Sequence, residues 1–285
     1  MNFDIGVNEA LQRLSSPFFD FLNKAFSFLG TEYVLLAAAL IIYWCFDKRY
    51  GYRFACVFFV GHTLSEVIKV LVARPRPYTY DSVRSIGEET HGWSFPSGHS
   101  HSIANLSAQL SDKTRKVYVY IIGGVATLLV MFSRVYLGQH FITDVLAGCA
   151  VGVLIGLFFG RLFDLMGEKE DLFAYIAAPL CFIVALVLYF TGVAGKNMLV
   201  ALGTFCAFTS GYVFEKNFVR YDVHSDKIWK HIVKVVAGLA VAMGLRFVLK
   251  LIPIPSMFVS EFVRYFIVTA FAVVGAPALF KALKL

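Results

Sequence analysis

Apolar runs close to the thickness of a bilayer follow one another along this chain from Val34 to the C-terminus, and they leave few folds open. A helix needs about 20 apolar residues to cross the hydrocarbon core, where each backbone N–H and C=O must find its partner within the protein. Runs of this kind, one after another, predict helices rather than sheet. Composition agrees: 58% of the 285 residues are hydrophobic and 16% are charged, where a soluble domain carries roughly a quarter. The expected fold class is all-α, a polytopic transmembrane helical bundle, and the expected location is the cell membrane, as a multi-pass protein.

Spans are expected at residues 31–46, 52–72, 97–110, 117–137, 141–165, 172–191, 197–214, 231–251 and 257–280, about nine in all. Segment 97–110 is short and polar, which suits a helix buried among others. Residues 1–29 are rich in Phe but too polar to cross. They predict one or two amphipathic helices lying at the membrane interface, broken near Ser16-Pro17. Asp4, Glu9 and Arg13 interrupt this segment early, so it does not read as a signal peptide. Three parts follow: the interfacial segment 1–29, a catalytic core 30–165, and further transmembrane helices at 172–285. No internal repeat relates them.

The net charge of +7 raises the question of a nucleic-acid partner. Most of the Lys and Arg, however, fall in or beside short loops at 47–49, 113–116, 161–171 and 215–230 and in the tail 281–285. All lie on one side if the spans alternate, and the positive-inside rule makes that side cytoplasmic. The bilayer, not nucleic acid, accounts for the charge. The extracytoplasmic side then receives the end of the span carrying Lys69, the loop 73–95 and the turn Gly138-Gln139-His140. Oligomeric state is not readable here. The five cysteines, Cys45, Cys56, Cys149, Cys181 and Cys206, have neither zinc-site spacing nor a disulfide pattern.

Three short segments on that side carry the chemistry. Lys69 is followed after six residues by Arg76-Pro77; then come Pro96-Ser97-Gly98-His99, and Ser133-Arg134, five residues, His140, three residues, Asp144. Three cations can neutralise phosphoryl oxygens. Ser97 and Gly98 open a helix whose free N–H groups, with a hydroxyl donor, make an anion site. His140 and Asp144 are four apart and share a helix face, so the carboxylate can hold one ring proton and leave the other nitrogen free.

These spacings match, without a gap, the signature of the type 2 phosphatidic acid phosphatase family, and over about residues 65–145 the chain resembles that family closely. More loosely, the layout is similar to glucose-6-phosphatase and sphingosine-1-phosphate phosphatase. The resemblance implies a phosphatase of membrane lipid phosphate monoesters or diphosphates, with no metal and no cofactor. It makes His140 the nucleophile, Asp144 its orienting carboxylate and His99 the general acid. It selects Arg76 over Arg74 from the two Arg-Pro pairs, and it places Lys69, Arg76, Ser97, Gly98 and Arg134 around the phosphate. Ser133 completes the pattern by holding the site rather than reacting. Arg74 is expected to contact a headgroup or to support the site from behind. Glu66, one turn before Lys69, is expected to be buried and paired with Lys69 or His62. A sugar phosphate is an alternative substrate, and a transporter or flippase an alternative class.

One further pattern concerns packing. Gly148, Gly152, Gly156 and Gly160 continue the ridge begun by His140 and Asp144, and small residues at this spacing let another helix approach closely.

Overall fold

The computed structural model describes residues 2–225 and 227–285. It is helical throughout, and among the described residues it has no strand. The helices are α1 (Asn2–Gln12), α2 (Pro17–Phe28), α3 (Glu32–Cys45), α4 (Lys48–Val72), α5 (Gly98–Thr114), α6 (Val117–Tyr136), α7 (Ile142–Met166), α8 (Glu170–Phe190), α9 (Lys196–Phe214), α10 (Ile228–Leu251) and α11 (Phe258–Ala282). In α11, α and π turns alternate. The break expected near Ser16-Pro17 is a helix start: the Ser16 hydroxyl caps α2 by accepting from the Phe19 N–H, and Pro17 takes the first helical position.

Among the described residues six helical runs are long and apolar enough to cross a membrane, or seven if α2 and α3, bent by 45°, count as one. The expected count of nine is thus not confirmed. Helix α3 has only 14 residues, about 21 Å, and α5 has 17 with no net apolar character. The expected segments 141–165 and 172–191 form one run, Ile142–Phe190, turning through a 3-10 segment at Gly167–Lys169. Hydropathy windows find apolar stretches but do not measure helices.

The chain divides into two compact units. The first comprises Met1–Ala37 and Val57–Leu162. In it α5 packs on α6, and α6 also carries α1 and α2. Val7 and Leu11 of α1 join Met131 and Val135 of α6 and Val145 of α7 in an apolar cluster. The glycine ridge of α7 lies on α5: a side chain at Gly148 would meet the Ser97 carbonyl, at Gly152 the His101 carbonyl, and at Gly156 the Asn105 carbonyl. Gly160 faces nothing within 4 Å and takes no part. The contact presses the helix bearing Asp144 onto the start of the helix bearing His99.

The second unit comprises Ala38–Cys56 and Phe163–Leu285. Here α8, α9 and α11 pack around Leu199, Cys206, Ala185 and Phe262. Tyr52 stacks on Tyr212 with ring centroids 3.9 Å apart, and the Trp44 indole donates to the Ala272 carbonyl at 2.8 Å. Its buried carboxylates are paired: Glu215 with Lys48 at 2.9 Å, and Glu170 with Arg49 at 2.9 Å and Arg53 at 2.7 Å. All five cysteines are free.

The glycine contact yields a stability prediction. Gly152→Val places atoms where the His101 carbonyl sits, so the detergent-solubilised protein should lose about 1–3 kcal/mol, as overpacked cores do. Gly160→Ala should leave the thermal midpoint unchanged. Equal midpoints for both variants would show that α7 does not bear on α5 at this ridge.

Candidate active site

The first unit's candidate residues lie at the ends of α4 to α7 and on the loop 73–95. That loop is pinned rather than free. The Ile86 N–H donates to the Leu137 carbonyl at 3.1 Å, the Ser94 N–H to the Arg74 carbonyl at 2.9 Å, and the Tyr78 hydroxyl to the Thr90 carbonyl at 2.9 Å. Gln139 clamps its middle, accepting from the Thr90 N–H at 3.1 Å and donating to the Ser85 hydroxyl at 2.8 Å. The turn into α7 depends on Gly138, at φ +72°, where a Cβ would also strike the Arg84 carbonyl.

Arg76 is buried and held on every side by main-chain oxygens. Its Nε donates to the Gly92 carbonyl at 2.8 Å, Nη1 to the Gln139 carbonyl at 3.0 Å, and Nη2 to the His91 and Trp93 carbonyls at 3.3 Å. Arg134 is held likewise by hydroxyls, Ser27 at 2.9 Å and Thr90 at 3.1 Å, and its buried Nε has no partner. Both guanidiniums are thus fixed in place by neutral groups. Lys69 sits with its Nζ 3.6 Å from where a Cβ on Gly98 would be, beside the start of α5. It pairs with Glu66 at 2.5 Å. Glu66 is 50% exposed, so the expectation of a buried carboxylate is corrected; the pair with Lys69 is present.

His140 and Asp144 come together, both buried, although not on one helix face as their spacing predicts: α7 begins at Ile142, and His140 lies in the turn before it. The His140 Nδ1 is 3.7 Å from the Asp144 Oδ2, and its Nε2 is 3.4 Å from the Arg76 Nη1. The same Oδ2 accepts from the Phe141 N–H at 2.9 Å and from the Ser94 hydroxyl, and Ser94 is also 3.4 Å from the His140 Nδ1. Burial first, and then Arg134, Arg76 and Lys69, push the His140 imidazole well below its ordinary range. At neutral pH the ring is therefore uncharged and carries a lone pair.

Ser97 caps α5, accepting from the Ser100 N–H at 3.4 Å and the Ser100 hydroxyl at 3.1 Å, while its own N–H donates to the Asp144 carbonyl at 3.0 Å. Gly98 and His99 follow in the first turn of α5, and His99 packs against Gly30. The Ser133 hydroxyl donates back to the Val130 carbonyl at 2.7 Å, within its own helix. Arg74 faces carboxylates instead of carbonyls: Nη1 meets Asp144 and Nη2 meets Asp4, each at 2.7 Å, and its guanidinium lies 4.1 Å over the Phe141 ring.

Several contacting residues escaped the sequence reading. Ser94, Ser27 and Thr90 lie outside the three segments and were visible only as polar residues among aromatics or in loops, and Gln139 is one of the five spacer residues within the third segment. Asp4 carried one faint signal, a stripe with Asn8 and Gln12 at four-residue intervals. Among the described residues, no group of three or more His, Cys, Asp and Glu side chains is gathered as for a metal ion.

Residues 50–165, which include every one of the predicted site positions, match the family model described as PAP2 superfamily, and residues 199–285 match PAP2 superfamily phosphatase, transmembrane extension. Phosphatidylglycerophosphatase B of Bacillus subtilis (strain 168) is 34% identical over 166 residues, covering 53% of this chain and 79% of the relative. The chain belongs to the PAP2 superfamily. Undecaprenyl-diphosphatase BcrC of the same organism is 30% identical over 149 residues, 50% of this chain and 76% of its own. Among solved structures, the transmembrane PAP2 type phosphatidylglycerolphosphate phosphatase from Bacillus subtilis superposes with a TM-score of 0.52 at 27% identity, over 59% of this chain and 87% of that one. The α1 residues Asp4, Asn8 and Gln12 lie outside both matched stretches.

The carbonyl cage around Arg76 can be tested in this PAP2 chain by anion binding. Saturating orthovanadate, a phosphate mimic, should stabilise the protein by about 2.7 kcal/mol at a hundredfold excess over Kd. Arg76→Lys keeps the charge but cannot reproduce the fork. It should weaken vanadate binding by at least about tenfold, read as a loss of thermal shift at fixed ligand. An unchanged shift would show that Arg76 does not face the anion.

Proposed function

We propose that this chain is a metal-independent integral-membrane phosphatase that removes phosphate from lipid phosphate monoesters or diphosphates, forming a phosphohistidine at His140 on the extracytoplasmic face. One observation carries the reading: Arg76 and Arg134 are positioned by uncharged oxygens. They therefore keep their charge for an incoming phosphoryl group, beside a neutral histidine. The names of the PAP2 relatives, a phosphatidylglycerophosphatase and an undecaprenyl-diphosphatase, support a lipid substrate. So do the exposed Phe3, Phe18, Phe21 and Trp93, which offer apolar surface in the unit that holds the site.

The reaction follows from that arrangement. Lys69, Arg76, Arg134 and the first N–H groups of α5 take the non-bridging oxygens and the charge that grows in the transition state. The His140 Nε2 attacks phosphorus while the bond to the leaving-group oxygen breaks, and that oxygen takes a proton from a His99 imidazolium, charged once the phosphate's negative charge enters the site. Asp144 holds the Nδ1 proton through the transfer; its 3.7 Å separation tightens in the loaded site. A water then attacks the phosphorus, giving its proton to His99. The P–N bond breaks, and phosphate and the original histidines remain.

Phosphate release from a panel of lipid phosphates, with glucose 6-phosphate as the polar comparator, tests the chemistry. The lipids should turn over, His140→Ala should abolish the activity, and EDTA should leave it intact. His99→Ala should lose far less activity on an aryl phosphate, whose leaving group needs little protonation. Activity lost to EDTA and restored by Mg²⁺ would sink the mechanism, and turnover of the sugar phosphate alone would sink the lipid assignment.

The sidedness rests on the basic loops, including 113–116. Single cysteines Glu89→Cys and Lys116→Cys, in a cysteine-free background, should label oppositely with an impermeant maleimide. Glu89→Cys should react from outside and Lys116→Cys only after permeabilisation. The reverse pattern would place the site in the cytoplasm.

A further inference from the structure

Helix α1 buries the side that an interfacial helix ordinarily leaves in water. Asp4, Asn8 and Gln12, successive positions on one stripe, are buried against the first unit, while Phe3 is 74% exposed. Each buried side chain is committed to the site's framework. Gln12 donates to the Arg84 and Tyr136 carbonyls at 2.7 and 3.1 Å and accepts from the Arg84 N–H at 3.0 Å. Asn8 donates to the Val135 and His140 carbonyls at 2.8 and 3.1 Å. Asp4 accepts through one oxygen from Arg74 at 2.7 Å and from the Thr143 hydroxyl at 3.1 Å.

We propose that Asp4 is a positioning residue for the reaction, acting through Arg74 on the Asp144–His140 pair. The inference rests on the roles given above to those two residues. Arg74 is a fork held at both tips: Nη2 on Asp4, Nη1 on Asp144. A planar guanidinium fixed this way cannot pivot, so it sets the plane of the Asp144 carboxylate. Asp4 also divides the charge of Arg74. Without it, the whole cation would bear on Asp144 and draw the carboxylate toward Arg74, away from the His140 Nδ1 already 3.7 Å distant. Among the described residues, no contact puts Asp4 on Lys69, Arg76 or Arg134, so its loss should spare substrate binding.

The test is steady-state kinetics on the full chain in detergent, using the lipid phosphate that the wild type turns over, with thermal midpoints measured in parallel. Asp4→Asn should lower kcat by about tenfold, the scale of lost support behind a catalytic ligand, with KM within twofold of wild type. Asp4→Glu keeps the charge but shifts the carboxylate by a methylene, and should leave kcat about twofold to threefold below wild type. Gln12→Ala removes three hydrogen bonds from the same helix without touching Arg74, and should lower the midpoint while leaving kcat within about twofold. If kcat falls in Asp4→Asn and Gln12→Ala alike, in step with their midpoints, α1 merely docks and the proposal fails. Wild-type kcat in Asp4→Asn also overturns it. Should Asp4→Asn not fold, Asp4→Glu decides: the added methylene shifts the carboxylate, so a kcat reduced by about twofold to threefold at wild-type KM supports the proposal, and an unreduced kcat overturns it. An inactive wild type would sink the functional reading and this inference together, whereas an active wild type with an indifferent Asp4 sinks only the latter.

Discussion

Mutual repulsion among Lys69, Arg76 and Arg134 is the constraint on which the site depends. Like charges gathered in a medium of low polarity interact far more strongly than in water, and each has lost hydration to be there. Pairing each with a carboxylate would relieve the strain and spoil the site, because a neutralised guanidinium has little left for a phosphate. For the two arginines the chain solves this with oxygens that carry no charge, while Lys69 keeps the half-exposed Glu66. Four main-chain carbonyls hold Arg76, and two hydroxyls hold Arg134. The loop 73–95 is long because it has to bring Gly92, His91 and Trp93 back over the arginine that began it.

The pair Arg74 and Arg76 makes the distinction within one pentapeptide. They are two residues apart, each followed by Pro, and composition alone cannot rank them. Their surroundings do: Arg74 lies between two carboxylates and over the Phe141 ring, and Arg76 among carbonyls and 3.4 Å from His140. In the proposed reaction the first is a strut and the second a receptor.

What the sequence made legible was local. The helix start at Ser97-Gly98 and the glycine ridge, save Gly160, are set by spacings within one element and are found where those spacings put them, while the histidine–aspartate pair forms across the turn into α7. The unread parts are tertiary. Ser94 reaches Asp144 across 50 positions, Ser27 reaches Arg134 across 107, and Asp4 meets Arg74 across 70. No periodicity encodes such a meeting. The span count was not confirmed for a related reason. Hydropathy reports how apolar a stretch is, while the count also asks for helix length, and α3 and α5 have only 14 and 17 residues. The amphipathic reading of residues 1–29 identified two helices and their break, but amphipathicity does not say which face is buried. Here the protein takes the polar stripe of α1, to which the end of α6 and the turn before α7 offer the carbonyls of Val135, Tyr136 and His140.

Charge in the second unit obeys the opposite rule, which sharpens the meaning of the first. Glu215 is paired with Lys48, Glu170 with Arg49 and Arg53, and Asp171 with Lys216 at 2.8 Å. Those groups cancel locally and lie at helix ends, where paired charges stabilise a fold without doing chemistry. Lys234 departs from the pattern, resting on the Val223 carbonyl at 3.1 Å and 5.2 Å from the centre of the Tyr221 ring, but it is a single cation, and the Asp222–His224 pair that flanks Val223 is exposed. Burial of charge is thus not by itself a mark of function in this chain. The mark is several like charges held by neutral oxygens around an uncharged histidine, a configuration that gains nothing for the empty protein and becomes favourable only when an anion arrives to share it.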